Sequence, residues 1–542
     1  MQCWIARKRA SYMVHEMKVS YSMKLVINGR NVVVENGATV LDAARSIGVK
    51  VPTMCHLDGY PHFTSCMICV VKDHASGRLL PSCSAPAADG MVIETDSEEV
   101  HHARRSALDL LLSEHVGDCE APCRITCPAH MNIPLMIRQI AAGKMRDAIE
   151  TVKEDIALPA VLGRICPAPC EKACRRSRFD SSLAICLLKR FAADIDLSGK
   201  SVYEPVRKPS SGKKVAIVGA GPAGLAAAYY LALAGHDCMI LDDRDEPGGQ
   251  LRYGVPDNIL PREVLAKEVE TIRHLGVVFR MNTRVGRDMD MAQLDRDYDA
   301  IVLAPGKLDT APAVLWGVEL SETGIKADPH SLKTSALKVF AGGEAVRHGH
   351  MAVRSVGHGK IIACAVDQYL TGKNVTGPMR RFDSRIGKLL EGEILEFMKE
   401  ADPSAGVDPV GGAAGGFSAD DAVRESRRCM HCDCRKADNC RLRDLADEYS
   451  ANQRRFNIEG RRSFERIVTH ATVVYEPGKC TKCGICVRIT ERAKETLGLT
   501  FMGRGFEAFV GVPFNSSLGA GLKSTAAECV EQCPTGALAF KD

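Results

Sequence analysis

Hydrophobic and polar residues alternate along the stretch MKLVINGRNVVVENG, which begins at Met23. A period of two is typical of β-strands, so this stretch predicts strands separated by turns. The next stretch, TVLDAARSIGVKVP, predicts a helix, and so does the later segment IPLMIRQIAAGKMRDAIETVKE. Farther along, KVAIVGAGPAGLAAAYYLALAGHDCMILDD predicts a strand, a glycine turn, a helix and a second strand. The pattern as a whole predicts a multidomain chain with α/β and α+β parts.

The length of 542 residues agrees with several domains, because one domain usually takes about 100–200 residues. A formal net charge of +4 gives no reason to expect nucleic acid or a membrane surface as partner. No apolar stretch approaches a membrane span. Residues 1–22 contain basic residues but no apolar core of a secretory signal, so they are predicted to be an N-terminal extension of a cytoplasmic protein.

The 23 cysteines are the most informative residues about function, because they occur in tight groups such as CMIC, CPAPC, CMHCDC and CTKCGIC. In a long chain with no secretory signal, such groups indicate metal or cluster sites and not a disulfide framework. The alternative is a set of buried, unligated thiols. That alternative is the prediction for the isolated Cys3, Cys238 and Cys364.

The first group has the spacing C-x10-C-x2-C-x13-C and consists of Cys55, Cys66, Cys69 and Cys83. Four thiolates on loops can surround a small cluster, and zinc is the alternative. Plant-type 2Fe-2S ferredoxins have a shorter first gap. The longer gap resembles the N-terminal 2Fe-2S domain of the large iron–sulfur subunit of respiratory complex I and its hydrogenase relatives. The resemblance implies a β-grasp 2Fe-2S ferredoxin domain over residues 23–98.

The stretch HHARRSALDLLLSEHVGDC extends this resemblance, because His115 stands four residues before Cys119. In complex I relatives, a histidine in this position ligates a 4Fe-4S cluster. His115 could equally be a surface or helix-end histidine, so its role stays open.

Two cysteine triples follow: Cys119, Cys123 and Cys127, then Cys166, Cys170 and Cys174. With CPAHMNIP, ALPAVLGRICPAPCEKACRR and LKRFAAD, they resemble the helical N-terminal domain of the glutamate synthase small subunit. The resemblance implies a helical domain over residues 99–197 with two 4Fe-4S clusters. One cluster would take Cys119, Cys123 and Cys174. The other would take Cys127, Cys166 and Cys170.

Each of these clusters lacks a fourth ligand. His115 could complete the first. For the second, the family's usual Gln or Glu aligns with Lys189, which is a poor ligand when protonated. Cys186 lies one helical turn earlier on the same side. It is either the fourth ligand or a core thiol.

After a linker over residues 198–212 comes a dinucleotide fingerprint, in which Gly219, Gly221 and Gly224 surround Pro222 and Ala223. The glycines allow the tight turn, the approach of a pyrophosphate and close helix packing. The helix N-terminus then faces the phosphates. Asp242, at the end of the second strand, is where a carboxylate binds a ribose hydroxyl.

The stretches EPGGQLRYGVP, DYDAIVLAPG and KVFAGGEAV resemble successive FAD-domain motifs of the glutamate synthase small subunit. The resemblance covers residues 213–372 and implies an FAD site. The cofactor-binding residues within these motifs would be Gly249, Gln250, Arg252, Gly343 and Glu344. Gly343 and Glu344 stand where the family usually has Gly-Asp.

The family inserts a whole NADPH-binding domain after APG, but here the interval from Gly306 to Ala341 contains no second GxGxxG. It is hardly longer than the ~30 residues that one βαβ unit takes. We therefore predict that the chain has an FAD domain without the NADPH insertion, and no NAD(P)H site of its own.

Residues 373–417 end in DPVGGAAGGF and are predicted to be a flexible linker. A four-cysteine region over residues 418–470 follows. Its cysteines are Cys429, Cys432, Cys434 and Cys440. A 4Fe-4S cluster, zinc and an unmetallated site all remain open, because the C-x-C step is unusual for one cubane.

Residues 471–542 carry KCTKCGICV and CVEQCPTGAL. Bacterial ferredoxins use C-x2-C-x2-C-x3-C-P. Here Cys480, Cys483 and Cys486 form the triple, and Thr490 holds the fourth place. Cys533, followed by proline, closes a ferredoxin-like 4Fe-4S site, and Cys529 is predicted to be a leftover thiol.

No nucleophile, acid pair or mononuclear metal site stands out, so no catalytic residue is predicted. The predicted cofactors are FAD, one 2Fe-2S cluster and three to four 4Fe-4S clusters. So many centres indicate an electron-transfer subunit of a soluble complex such as a formate dehydrogenase or hydrogenase, and electron bifurcation is compatible with them. The expected partners are a diaphorase-type NAD(H)/FMN subunit, a catalytic dehydrogenase, hydrogenase or reductase subunit, and ferredoxin. A stand-alone FAD oxidoreductase acting on ferredoxin or a small substrate, and a scaffold with vestigial sites, are the alternatives.

Overall fold

The structure is a computed structural model that describes residues 22–199, 201–308, 316–349, 351–456 and 460–541. Its internal contacts divide the chain into two units. The first unit comprises residues 1–115, 440–461 and 480–538, and the second comprises 116–439, 462–479 and 539–542. The regions 418–470 and 471–542, predicted as successive domains, are therefore each divided between the units. Cys3 lies outside the described residues.

The first unit begins with a five-stranded mixed sheet. In sheet order the strands are Arg30–Glu35, Ser22–Ile27, Val92–Glu94, Val70–Asp73 and Arg78–Pro81. Strand Ser22–Ile27 runs antiparallel to Arg30–Glu35 and parallel to Val92–Glu94. A helix, Val40–Ser46, starts at a capping box formed by Thr39 and Asp42 and buries its apolar side against the sheet. The strand and helix predictions for this stretch are confirmed.

A long helix, Glu98–Ser113, packs on this sheet through a buried arginine. Arg104 donates from Nε and Nη2 to the carbonyl of Val70, at 3.2 and 2.9 Å. The remaining helices and strands of the first unit are Arg441–Glu448, Ile485–Arg492, Thr500–Met502, Phe509–Gly511, Leu518–Gly521 and Ala526–Gln532.

The second unit opens with a group of helices. They are Pro122–Thr126, Ile133–Ala141, Met145–Asp155, Pro159–Ile165, Pro169–Lys172 and Ile185–Ser198. The segment predicted as one helical stretch is two helices, because the chain turns at Gly143, whose φ is +71°. This left-handed conformation is favourable for glycine and ends the first helix. Ile137, Ile140 and Val152 bury the facing sides of the pair.

A parallel five-stranded sheet follows. In sheet order its strands are Val339–Ala341, Ala300–Leu303, Lys214–Val218, Asp237–Leu241 and Val278–Arg280. The accompanying helices are Pro222–Leu233, Gln250–Tyr253, Arg262–His274, Met291–Asp297 and Ala352–Leu370. Between Leu303 and Val339, the described residues contain two short antiparallel strands, Leu320–Ser321 and Gly324–Ile325, and no helix.

The segment predicted as a flexible linker, residues 373–417, contains helices Glu393–Met398 and Gly412–Gly415. Phe397 is buried and stacks on Phe464 at 4.1 Å between ring centroids. Arg190 donates to the carbonyls of Ala413 and Ala414 at 2.9 and 3.0 Å, so the GGAAGG run is also held in place. The linker prediction rested on glycine content and overlooked the apolar residues Ile386, Leu389 and Phe397, which pack with Val116, Met430 and Phe464 in one core.

Helix Ala419–Arg427 and strands Val473–Tyr475 and Leu538–Phe540 complete the α-helices and β-strands of the described ranges. None of the helices in these ranges combines the length and apolar character needed to cross a bilayer.

Candidate metal and dinucleotide sites

The four cysteines of the first group come together beside the sheet of the first unit. Cys55, Cys66, Cys69 and Cys83 are only 1–4% exposed. Hydrogen bonds from Cys66 and Cys83 lower the pKa of Cys55, and one from Cys83 lowers the pKa of Cys69 to about 7. Backbone N–H groups of Ser65, Cys66 and Ile68 also donate to these sulfurs. The loop therefore supplies four adjacent sulfurs and donors that stabilise thiolates.

A second group lies among the helices of the second unit. Cys127, Cys166 and Cys170 line one cavity with Ile185 and Lys189. Cys186, in the first turn of helix Ile185–Ser198, hydrogen-bonds with Cys166 and Cys170. The structure thus places Cys186 with the three cysteines that the family pairing groups together.

Lys189 is buried at the same cavity, with Nζ 4.0 Å from Cys186 Sγ. Burial lowers the pKa of Lys189, but the negative charge of the surrounding thiolates outweighs it and raises the pKa above its ordinary value. The side chain therefore stays cationic. It serves as a counter-charge to the sulfurs and not as their fellow ligand.

Replacing Cys186 by alanine is expected to remove or convert one cubane, because three thiolates would remain of the four. We expect the loss of about one to four iron atoms per chain and of one 4Fe-4S signal in electron paramagnetic resonance, with the 2Fe-2S signal intact. Cys364→Ala is the matched control, since Cys364 lies on helix Ala352–Leu370 outside the cysteine groups. Unchanged iron content and spectra in Cys186→Ala would show that Cys186 is a core thiol and not a cluster ligand.

A third group differs from the groupings predicted from the sequence. Cys123 and Cys174 line one cavity together with Cys429 and Cys432. Burial raises the pKa of the Cys429 thiol to about 12. The family pairing had joined Cys123 and Cys174 to Cys119, and the local spacing had joined Cys429 and Cys432 to Cys434 and Cys440.

The packing of one helix explains this difference. Helix Ala419–Arg427 packs on helix Ile133–Ala141, and Glu425 accepts a hydrogen bond from the N–H of Ala184 at 2.9 Å. Cys429 follows the end of this helix and therefore lies beside the loop that contains Cys174. Contacts between residues some 250 positions apart cannot be inferred from the local spacing of the cysteines.

The remaining predicted ligands are placed as follows. The N–H of Cys434 donates to the carbonyl of Cys119 at 3.2 Å, so these two cysteines are neighbours in the second unit. The N–H of Ser384 donates to Cys119 Sγ at 3.4 Å. Cys440 and His115 belong to the first unit, where Cys440 Sγ lies 3.9 Å from the carbonyl oxygen of Pro534. Of the four cysteines predicted to share one site, Cys429, Cys432 and Cys434 thus belong to the second unit and Cys440 to the first.

A fourth group lies in the C-terminal part of the first unit. Cys480, Cys483, Cys486 and Cys533 are close enough to act on one another's ionisation, and burial is the main cause that raises the pKa of Cys483 and Cys486. Cys480 Sγ accepts a hydrogen bond from the N–H of Lys482 at 3.4 Å. This is the set predicted for the ferredoxin-like site.

Two other residues of the motif, Thr490 and Cys529, are described by their contacts and burial. Thr490, in the place of the usual fourth cysteine, donates to the carbonyl of Val487 and accepts from the N–H of Leu499, both at 3.0 Å, so it ties two segments together. Cys529 is fully buried, and burial raises the pKa of its thiol to about 12.

Within the described residues, no three His, Cys, Asp or Glu side chains are arranged to hold a single metal ion. A cubane has a different geometry, since each of its thiolates bonds to a different iron.

The glycine turn at the start of the parallel sheet has the geometry that a dinucleotide fingerprint requires. Gly219 has φ +107°, and a Cβ there would lie 2.2 Å from the carbonyl oxygen of Ala304. A Cβ on Gly224 would lie 1.9 Å from the carbonyl oxygen of Gly219. A Cβ on Gly221 would meet no protein atom within 4 Å. The turn is thus crowded on the protein side and open in front of the helix N-terminus, where a pyrophosphate would bind.

A cavity of about 200 Å³ adjoins this turn. Gly219, Asp242, Arg284, Lys307 and Trp316 are among its lining residues. Asp242 accepts hydrogen bonds from the N–H groups of Ala220 (2.6 Å) and Arg244 (2.9 Å), which fix its carboxylate at the cavity. The structure therefore places Asp242 where the fingerprint expects the acid.

The other residues predicted to contact the flavin differ in their surroundings. A Cβ on Gly249 would lie 2.8 Å from Gly221 Cα, so Gly249 abuts the turn. Gln250 is exposed, and Arg252 forms an ion pair with Glu246 and donates to the carbonyl of Pro247 at 2.9 Å.

Gly343 has φ +69° and faces the same helix as the glycine turn. A Cβ on it would lie 3.0 Å from the Cβ of Ala223. Its N–H donates to Nδ1 of His358 at 3.1 Å, and Glu344 beside it is half-buried. Burial lowers the pKa of His358 to about 4, so the ring is neutral and can accept this bond.

Models of known families match three stretches of the chain. Residues 21–98 match a 2Fe-2S iron–sulfur cluster binding domain, and residues 96–200 match the 4Fe-4S domain II of dihydropyrimidine dehydrogenase. Residues 217–276 match an NAD(P)-binding Rossmann-like domain. The predictions of a 2Fe-2S domain, of a 4Fe-4S domain and of a multidomain α/β arrangement are thereby confirmed.

Several curated proteins are similar to part of the chain. The NADPH-Fe(3+) oxidoreductase subunit beta of Geobacter sulfurreducens is 41% identical over 208 residues, which is 38% of this chain and 30% of that subunit. The NADP(+)-dependent formate dehydrogenase subunit beta of Moorella thermoacetica is 44% identical over 207 residues, 34% of this chain and 29% of that subunit.

The glutamate synthase [NADPH] small chain of Bacillus subtilis (strain 168) is 33% identical over 180 residues, 33% of this chain and 36% of that protein. The resemblance predicted from the sequence is confirmed at this level. The chain spans about a third of the length of each of these relatives.

Proposed function

We propose that the chain is an electron-transfer iron–sulfur flavoprotein subunit of a multi-subunit redox complex. The observation that carries this proposal is the gathering of sixteen cysteines, from distant parts of the sequence, into four groups of four. Sets of four thiolates are the ligands of 2Fe-2S and 4Fe-4S clusters. The β-grasp type of the first domain and FAD as the dinucleotide belong to the same proposal.

The first unit supports electron transfer between two of these groups. The loops that carry Cys55 and Cys483 contact each other, because a Cβ on Gly484 would lie 2.3 Å from a ring carbon of Phe63. Around them, Phe63 packs edge-on against Phe501 at 5.2 Å, and Arg492 donates to the carbonyl of Gly59 at 3.3 Å. A 2Fe-2S cluster and a ferredoxin-like 4Fe-4S cluster would thus be neighbours on one electron-transfer path. The conduit is the name used below for a chain that passes electrons along such a path between its partners.

The dinucleotide cavity supports FAD as a further centre. Gly221 leaves room for the pyrophosphate, and Asp242 is fixed where it can bind a ribose hydroxyl. FAD would supply the exchange between two-electron and one-electron chemistry. The protein residues bind and orient it, and no residue of the chain is assigned a chemical step.

The named relatives are subunits of an NADPH-Fe(3+) oxidoreductase and a formate dehydrogenase, which supports partner subunits for this chain. We propose a diaphorase-type NAD(H)/FMN subunit, a catalytic dehydrogenase, hydrogenase or reductase subunit, and ferredoxin, in the cytoplasm of an anaerobe. The second candidate is a stand-alone oxidoreductase. It is favoured by the match of residues 217–276 to an NAD(P)-binding model, since that match would also fit NAD(P) bound at the same turn.

Iron and flavin analysis of the anaerobically purified chain tests the proposal. Four occupied groups, one 2Fe-2S and three 4Fe-4S, predict about 14 or more iron atoms and about one FAD per chain. Cys238→Ala is the matched control, because Cys238 is a buried core thiol of the parallel sheet and should leave the iron content unchanged. Iron near two atoms per chain would show that only the first group binds a cluster and would overturn the conduit.

A further inference from the structure

We infer that Cys123, Cys174, Cys429 and Cys432 bind one 4Fe-4S cluster, which joins residues 429–432 to the helical segment that begins at residue 116. The inference rests on the proposed function and goes beyond it, because it assigns a ligand set that neither the local spacing nor the family pairing contains.

The four cysteines surround one cavity. Cys123, Cys174, Cys429 and Cys432 line it together with apolar side chains such as Ile137, Leu183 and Ile185 and with the arginines Arg175 and Arg176. Four cysteine sulfurs around one cavity are the ligand set of a 4Fe-4S cluster, whose irons bind them as thiolates. The cavity thus supplies the number and type of ligands that one cluster needs.

The loop that supplies Cys429 and Cys432 is held by buried arginines. Arg466 donates from Nη1 to the carbonyl of Met430 (3.0 Å) and from Nη2 to the carbonyl of His431 (2.8 Å). Its Nε donates to Glu476 at 2.9 Å, and the side chain is 1% exposed. Arg176, fully buried, donates to the carbonyl of Arg428 at 3.1 Å. Such backbone clamps fix the direction of both sulfurs before any metal binds.

Charged residues around the cavity suit an anionic cluster. Arg175 forms an ion pair with Asp118 and donates a hydrogen bond to Cys432. Arg138 binds both carboxylate oxygens of Asp433, at 3.1 and 2.9 Å. These guanidinium groups are held in place by carboxylates and supply positive charge and hydrogen bonds near the sulfurs. Contacts of this kind stabilise a thiolate-bound cluster and set its reduction potential.

Single-residue variants of the full chain, purified anaerobically, test the assignment. Cys174→Ala and Cys429→Ala are each expected to delete the same 4Fe-4S signal in electron paramagnetic resonance and to lower the iron content by about four atoms per chain. The signals of the other clusters should persist. Cys238→Ala is the matched control and should delete none. Because Cys440 does not line this cavity, Cys440→Ala should leave this signal in place.

Loss of one signal in both Cys429→Ala and Cys440→Ala, with a different signal lost in Cys174→Ala, would overturn the assignment. Stoichiometric zinc in the wild-type chain that is lost in Cys429→Ala with all iron signals intact would overturn it too. If the alanine variants fail to fold, Cys174→Ser and Cys432→Ser should shift the g-values of one common signal, and unshifted spectra would contradict the inference. A wild-type chain with only about two iron atoms would instead refute the proposed function itself.

Discussion

Mixed anaerobically with NADH or NADPH, the isolated chain is expected to keep its flavin oxidised, whereas reduced ferredoxin should bleach it through the clusters. Hydride transfer needs the nicotinamide held in near-attack geometry against the flavin, and such positioning is worth ~7–11 kcal/mol of barrier. Without it, reduction should be slower by ~10⁵-fold or more. The described residues between Leu303 and Val339 contain only two short strands where the resembling family inserts a nucleotide domain.

Anaerobic stopped-flow absorbance of the flavin measures this difference. Dithionite is the control that shows the flavin to be reducible, and adding a diaphorase-type subunit should restore reduction by pyridine nucleotide. Rapid bleaching by NADH or NADPH with no partner present would mean that the chain holds a nucleotide site of its own. The stand-alone oxidoreductase would then replace the conduit.

Gly221→Val is expected to weaken FAD binding by at least ~100-fold, equivalent to about 3 kcal/mol, while the chain still folds. A Cβ on Gly221 meets no protein atom within 4 Å, so the substitution creates no internal clash. The added side chain instead fills the space in front of the helix N-terminus, where the pyrophosphate must approach.

Flavin content and FAD titration of the purified variant measure the loss, and the 2Fe-2S signal of the first unit is the internal control for folding. Gly224→Val provides a contrast. Its Cβ would lie 1.9 Å from the carbonyl oxygen of Gly219, so it should disturb the turn itself and lower the thermal stability as well. Normal flavin content in Gly221→Val would place the flavin elsewhere.

Hydrophobic periodicity and residue spacing predicted those features of the fold that depend on neighbouring residues in the sequence. The strand, glycine turn, helix and second strand around Gly219 follow from period and glycine spacing, and they are present as Lys214–Val218, Pro222–Leu233 and Asp237–Leu241. The position of Cys186, one turn before Lys189, was enough to suggest that it joins Cys127, Cys166 and Cys170. The break at Gly143 could have been predicted too, since AAGK is a typical helix end.

The ligand groups built from distant segments could not be predicted in this way. Cys429 and Cys432 meet Cys123 and Cys174 because helix Ala419–Arg427 packs on helix Ile133–Ala141, and spacing contains no information about that contact. One signal was present in the sequence. Each cluster predicted in the helical domain lacked a fourth ligand, and the CMHCDC run had a C-x-C step that is unusual for one cubane. Together they indicate cysteines shared between segments.

The number of electrons that one chain accepts tests the electron-transfer assignment most directly. In an anaerobic coulometric titration of the purified chain, four clusters taking one electron each and one FAD taking two predict uptake of at least about six electrons per chain. Uptake of about two or three electrons, with flavin and at most one cluster responding, would contradict the conduit and leave a simple flavoprotein.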